Sequence, residues 1–470
     1  MEIFRCNAAL RAALLLFCGV AQAQDRYPVD WHRLEPEILS RFTELLKIDT
    51  SNPPGNETRA ANAIKAMLER EGIECKLFAL DPARANLVAR IRGSGAKRPI
   101  LIMGHTDVVG VQRERWSVDP FAAINKNGVI YARGSRDNRP HVLAGVMILS
   151  LLKRMNVRLD RDVIFLAEAG EEGTSQFGID YMIKEHWPEI DAEFATAEGG
   201  GLVEVGGKPR YMLISTTEKS PNRIRLVAHG ASGHASRPQE DNAVVHLAAA
   251  VARAGRWWPP MRLNETTRTY FQRLATVSAP EQAERYRAIL DPVRATETDS
   301  YFRKSEPLHW SILHTSVVPT IINIGFRSNV IPSEGESTLD VRVLPGENLK
   351  SFAAELRKVI NDPAVEVIPP ATTSRPLSPP SRMDTDMFRA LEKVARQMFN
   401  VPALPYLMTG ATDMAQLRAK GVQCYGTGPA ILPEEGPLGG AHTDDEHITV
   451  TSLMSLVQYM WGAVTEVAAN

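Results

Sequence analysis

The stretch VIFLAEAGEEG, residues 163–173, sets Glu171 and Glu172 side by side between two glycines, where an apolar run ends. Two adjacent carboxylates at the edge of a core repel each other and lose hydration. Either both point into water as a solvated turn, or something positive lies close by. Other potential donors sit in equivalent places. His105 and Asp107 in IMGHTDV are two residues apart, on one side of an extended chain. Asp137 in ARGSRDNRPH stands just before a helix that opens with Pro140, and Glu198 in TAEGGG closes an apolar stretch. Taken singly, each has a plain structural reading, His105 as a satisfied buried histidine above all. Together they are acids and an imidazole gathered where strands end, which is where open α/β sheets bind ligands. Such a gathering calls for a cation, and carboxylate oxygen and imidazole nitrogen are donors that zinc accepts.

The elements that must position these residues are legible from periodicity. EPEILSRFTELLKI and TRAANAIKAMLEREG have helical spacing, and PHVLAGVMILSLLKRM is a strongly apolar helix. ECKLFAL, ANLVARIRG, RPILIMGH, GVIYARG and RDVIFLAEA read as strands, and SQFGIDYMIKEHW as a further helix. Strands alternating with helices predict an α/β fold with a mostly parallel, helix-covered sheet. From about residue 217 the order becomes β-α-β-β-α-β, a ferredoxin-like α+β pattern, interrupted by a polar, helix-prone insertion at about 255–315. The Pro-rich PPATTSRPLSPP reads as a hinge, followed by an amphipathic helix and Gly-rich loops. The expected organisation is a signal segment at 1–23, a catalytic domain in two parts, 24–216 and 371–470, and between them a lid or dimerisation domain at 217–370.

The motifs carry a resemblance. IDTSNPPGNE, GHTDVV, YARGSRDN, EAGEEG, AEGG, GASGHASRP, NVIP with DVR, TGATD and GGAHTDDE are similar, in order and spacing, to the di-zinc metallopeptidase family of aminoacylase, acetylornithine deacetylase, succinyl-diaminopimelate desuccinylase and glutamate carboxypeptidase. The resemblance implies two Zn2+ per subunit, with Co2+ or Mn2+ as substitutes. It implies His105, Asp137, Glu172, Glu198 and His442 as the metal ligands, Asp137 bridging both ions. Asp107 would orient the His105 imidazole, and Glu171 would be the general base. His234 would help stabilise the oxyanion, reaching in from the partner of a homodimer. Asn329, Arg342, Gly410 and Asp413 would contact substrate, Arg342 by pairing with a carboxylate. The peptide bond after Asp137 would be cis. His447 competes with His442 for the ligand role, and Glu168 and Glu446 read as solvated or background carboxylates. After Asp137 the chain departs from the family pattern with Asn138, Arg139 and Pro140. That departure leaves open a non-catalytic, metal-containing protein that binds a small carboxylate. The leading expectation is an exported di-zinc hydrolase of an amide or peptide bond next to a free carboxylate. Glu rather than Asp at position 198 leans toward N-acyl amino acids, and export toward short peptides.

Composition bounds the partners. The chain has 470 residues, 44% hydrophobic, with formal net charge −1 and no Lys/Arg block, which argues against nucleic acid. Arg5 and Arg11, the apolar AALLLFCGV and the small-residue AQA at Ala21–Ala23 read as a secretory signal, too short to span a membrane comfortably. Cys6 and Cys18 leave with it, and the two cysteines that remain, Cys75 and Cys424, set no disulfide framework.

Overall fold

A computed structural model describes residues 27–373, 375–431 and 440–469; the segment read as a signal lies outside them. The larger body is built on a nine-stranded mixed sheet. In order across the sheet run Gly201–Val205, Lys208–Glu218, Gln423–Thr427, Phe194–Glu198, Ile100–His105, Val163–Glu168, Ala85–Ile91 and Cys75–Ala79, with Ala403–Met408 paired to Lys208–Glu218. The strands from Gln423 to Val163 in that order are parallel, as helical crossovers require. Toward Cys75–Ala79 the pairing turns antiparallel. On the other side Lys208–Glu218 is antiparallel to Gly201–Val205 and Gln423–Thr427 but parallel to Ala403–Met408, so the sheet is mixed.

Ile100–His105 and Val163–Glu168 are buried at every position, because helices cover both faces. One face carries the helix Arg139–Arg154, buried from Arg139 through Leu152, and beside it Val450–Ala468. Contact is close enough that a Cβ on Gly104 would fall 2.9 Å from the Val142 nitrogen. The other face is closed by Ile179, Met182, Met414 and Leu417. Two sequence-based expectations change. Val129–Tyr131 leaves the main sheet for a three-stranded one with Ile124–Lys126 and His447–Thr449. The helix expected over 175–187 is broken at Gly178 into a short turn and Ile179–Glu185.

The smaller body has the order Ser220–His229, Ala243–Arg256, Ser316–Ile324, Glu334–Val343, Leu349–Ile360 and Val365–Ile368. Its antiparallel sheet runs Ser316–Ile324, Glu334–Val343, Ser220–His229, Val365–Ile368, the ferredoxin-like arrangement. Strict alternation at Glu334–Val343 turns Leu339, Val341 and Val343 onto Leu247, Phe352 and Leu356. The edge strand Ser316–Ile324 leaves Val318, Ile321 and Ile322 about half exposed.

The insertion packs elsewhere. Phe271, Tyr286 and Phe302 from its helices join Leu404, Tyr406 and Leu407 of the large sheet, so in space it belongs to the larger body. The chain passes between the bodies near Ser220 and again near residue 375, and the two crossings are tied. The Ser220 hydroxyl donates to the Arg375 carbonyl at 2.8 Å, and the Ser381 N–H to the Thr216 carbonyl at 2.8 Å. Cys75 and Cys424 are free, buried thiols in separate apolar clusters.

Candidate metal centre and catalytic cavity

The parallel strands deliver their carboxyl ends to one cavity of about 490 Å³. His105 ends Ile100–His105, Glu198 ends Phe194–Glu198, and Asp137 lies on the loop before the helix Arg139–Arg154. Two donor sets meet there and share Asp137: His105, Asp137 and Glu198 form one, Asp137, Glu172 and His442 the other. Asp137 gives one oxygen to each. Its Oδ1 lies 2.9 Å from His105 Nε2, and its Oδ2 lies 3.1 Å from His442 Nε2. Glu198 Oε2 is 3.7 Å from His105 Nε2, and Glu172 Oε1 is 2.9 Å from His442 Nε2. The peptide bond Asp137–Asn138 is cis. His442 sits at φ 65°, a left-handed backbone uncommon outside glycine, which the site must hold in place.

The adjacent glutamates are turned out of their strand by Gly170, whose φ of +80° a side chain would strain and whose Cβ would meet the Thr174 carbonyl at 2.6 Å. The Asp107 carboxylate then caps the turn, accepting the N–H of Glu171 at 3.1 Å and of Glu172 at 3.0 Å, and Asn52 Nδ2 at 2.8 Å. His105 Nδ1 bonds the Asp107 carbonyl oxygen at 3.0 Å, with the Asp107 carboxylate at 3.5 Å. The orienting bond to this imidazole is thus made by the main chain of Asp107, while its side chain holds the glutamate turn.

Glu446 and Glu168 are not solvated. Glu446 is wholly buried and accepts Arg133 Nη1 at 2.7 Å and the N–H groups of Gly134, Arg136 and Asp137 at 3.2, 2.7 and 3.1 Å. It fixes the loop that presents Asp137. Burial pushes the Glu168 carboxyl up to about 8. The departure at Asn138 and Arg139 is absorbed by the structure. Asn138 Nδ2 donates to Glu198 Oε2 at 2.7 Å, and buried Arg139 reaches back to the Thr50 hydroxyl at 2.7 Å. His447 packs at a tilt against Tyr131, ring centroids 5.0 Å apart, and belongs to neither donor set.

Gly410 and Arg342 line the cavity, Arg342 with its guanidinium also on Asp340 at 2.7 Å. Pro221, Tyr406, Met408 and Ile431 give it an apolar wall. Asp413 is buried and faces Arg375 rather than the cavity. His234 and Asn329 do not reach this cavity within the chain. They lie exposed on the small body, where the Ala235 N–H donates to the Asn329 carbonyl and His234 Nδ1 contacts the Ser236 hydroxyl. Sequence reasoning missed Arg375, which donates to Glu171 Oε1 at 2.6 Å from a stretch whose prolines and polar residues signal only a connection.

This constellation is matched by a family model described as Peptidase family M20/M25/M40 over residues 101–466. The chain belongs to that family. Among relatives, it is 29% identical over 285 residues to the N-fatty-acyl-amino acid synthase/hydrolase PM20D1 of Homo sapiens, covering 59% of this chain and 55% of that protein. It is 25% identical over 401 residues to Aminoacylase-1 of Mus musculus, covering 84% and 87%. Among solved structures, the M20 family metallo-carboxypeptidase Sso-CP2 from Sulfolobus solfataricus superposes with a TM-score of 0.66 at 19% identity, covering 91% and 98%, a likeness of fold. The chain is a metal-dependent hydrolase of the M20 family.

The electrostatics suit the dinuclear metal chemistry of that family. Burial pushes the Glu172 carboxyl up to about 7, the Asp137 charge adding and His442 opposing. Burial and the Asp137 charge push Glu198 up to about 8. Burial also raises Glu171, against the pull of Arg375. Hydrogen bonds to Asp137 and Glu172 raise His442 to about 10. Burial opposes protonation of His105, yet Glu198, Asp107 and Asp137 carry it well above the ordinary imidazole range. The cluster is therefore held together by whatever positive charge is at hand, and divalent cations displace such protons from these donors. The paired nitrogen-and-oxygen donor sets fit two ions sharing one carboxylate.

Proposed function

We propose that this M20 hydrolase cleaves an amide or peptide bond next to a free carboxylate, in an N-acyl amino acid or a short peptide, with two zinc ions. His105, Asp137 and Glu198 would hold one ion and Asp137, Glu172 and His442 the other. The observation that carries the reading is the division of Asp137 between the two donor sets at 2.9 and 3.1 Å, with Glu171 beside them and outside both. Bound metal ions supply Lewis acidity that makes water nucleophilic at neutral pH and polarises the scissile carbonyl. Glu171 accepts a proton from the attacking water and returns it to the leaving amine. The Arg342 guanidinium receives the substrate carboxylate, and the Gly410 loop flanks the substrate backbone. The likeness to aminoacylase-1 and to an N-fatty-acyl-amino acid hydrolase favours an acyl amino acid over a dipeptide.

His234 and Asn329 would serve the cavity of a second copy. Their exposure on the small body and the half-exposed apolar residues of its edge strand support a homodimer. Residues 1–23 support export, and no helix among the described residues is long and apolar enough to cross a membrane. The test is metal analysis of the purified chain together with turnover of a panel of acetyl- and longer-chain acyl-amino acids and dipeptides, with zinc or cobalt supplied. Two metals per chain and hydrolysis of acyl amino acids are expected. A metal-loaded chain that hydrolyses only dipeptides would reverse the substrate assignment, and one inert on the whole panel would end the reading.

A further inference from the structure

The Pro-rich return from the small body does more than connect. It carries Arg375 to the cavity, where three separate segments converge on one residue. Arg375 Nη2 donates to Glu171 Oε1 at 2.6 Å and to the Glu171 carbonyl at 3.3 Å. Its Nη1 faces the carboxylate of Asp413, whose side chain is wholly buried and whose one ion pair among the described residues is this one. Its main-chain carbonyl accepts the Ser220 hydroxyl from the other crossing between the bodies. Only a planar guanidinium forks to two carboxylates in this way; an ammonium is a point charge. Glu171 Oε1 is thereby engaged, while Oε2 has no hydrogen-bond partner among the described residues.

We propose that Arg375 is a positioning residue for the reaction. It fixes the Glu171 carboxylate so that Oε2 is the oxygen presented to water. Through Asp413 it locks the Gly410–Asp413 loop to the same frame, so base and substrate-facing loop keep one geometry. This rests on the reading of Glu171 as the general base. The arrangement also places that alignment at the junction of the two bodies, because Arg375 is itself pinned by Ser220.

The test uses the metal-loaded full chain and the acyl amino acid it hydrolyses fastest. Arg375→Ala is expected to keep its metals and its KM while kcat falls about 100-fold, the scale of a misplacement of about 1 Å. Guanidinium ion added at millimolar concentration is expected to restore part of kcat, which repair of a merely structural defect would not do. Arg375→Lys is expected to keep the buried charge and the melting temperature, yet recover little of kcat. Unchanged kcat in both variants, a raised KM at unchanged kcat, or loss of metal would each overturn the proposal. Should Arg375→Ala not fold, Arg375→Lys alone decides, since it removes the fork and retains the cation. An unmutated chain that turns over nothing defeats the hydrolase reading instead. The placement is then judged by the crystal structure of Arg375→Lys, in which a displaced Glu171 carboxylate supports it and an unmoved one overturns it.

Discussion

The carboxylate of Asp107 accepts the main-chain N–H of Glu172 at 3.0 Å. With the Glu171 N–H bonded to the same side chain, one acid holds the turn that aims two others in different directions. Asp107→Asn turns an amide N–H toward those donors or leaves one of them unsatisfied. Metal affinity is expected to fall about 10- to 100-fold, the usual cost of disturbing the groups that orient ligands. Titration against a competing chelator measures it, and wild-type affinity would contradict the role.

Glu171→Gln keeps the shape of the side chain and removes its basicity. We expect both metals to remain and kcat to fall by about 10²–10⁴, the range for loss of a general base. Parallel metal analysis and steady-state kinetics on the preferred substrate decide it; full turnover would assign the base elsewhere.

Glu446 touches no donor of either set except through the Asp137 N–H, yet four donors depend on it. Glu446→Gln offers an amide to a buried arginine and three N–H groups. The expected results are weaker metal binding and a lower melting temperature together, because a buried charge is left uncompensated. Chelator titration and thermal melts report the two effects separately.

The metal-free chain is expected to lose stability as pH rises. Folded Glu172 and Glu198 hold protons up to about 7 and about 8, above the ordinary carboxyl value. Their favourable contribution is complete below the ordinary value and is lost as pH climbs through those raised values. His442, raised to about 10, adds the same sign, its contribution complete below the ordinary imidazole value and lost on approach to about 10. Zinc requires the deprotonated donors, so metal should remove this slope. Melting temperatures of chelated and zinc-loaded protein from pH 6 to about 9 test it; parallel curves would refute it.

If His234 serves the neighbouring copy, His234→Ala and Glu171→Gln should each be nearly inactive and should regain activity when unfolded and refolded together. A mixed dimer then holds one cavity with an intact base and an intact visiting histidine. No recovery in a mixture that still dimerises would place His234 outside the reaction.

The strand ends were readable because their signal is local: a buried apolar run followed by an acid or imidazole, as at His105, Glu172 and Glu198. The ferredoxin-like order was readable for the same reason, each strand alternating by two. What escaped depends on long-range contacts. Glu446 follows the run of acids in HTDDE and looks solvated until the fold buries it over the 134–137 loop. Arg375 is flanked by Ser374 and Pro376, and nothing in the string TTSRPLS distinguishes it from a linker residue. The helical insertion likewise falls within the small body's sequence and packs on the large sheet, because its aromatic residues find Leu404 and Tyr406 there.

That last packing separates chemistry from taste. Tyr406 lines the cavity and also packs against the insertion's Tyr270, ring centroids 6.1 Å apart, within the cluster that holds Phe271 and Tyr286. Reshaping those helices would tilt the apolar wall that Tyr406 contributes, while His105, Asp137 and His442 are held by other elements. If the substrate is an acyl amino acid as proposed, substitutions within residues 265–311 are the ones expected to change chain-length preference while His105, Asp137 and His442 stay in place.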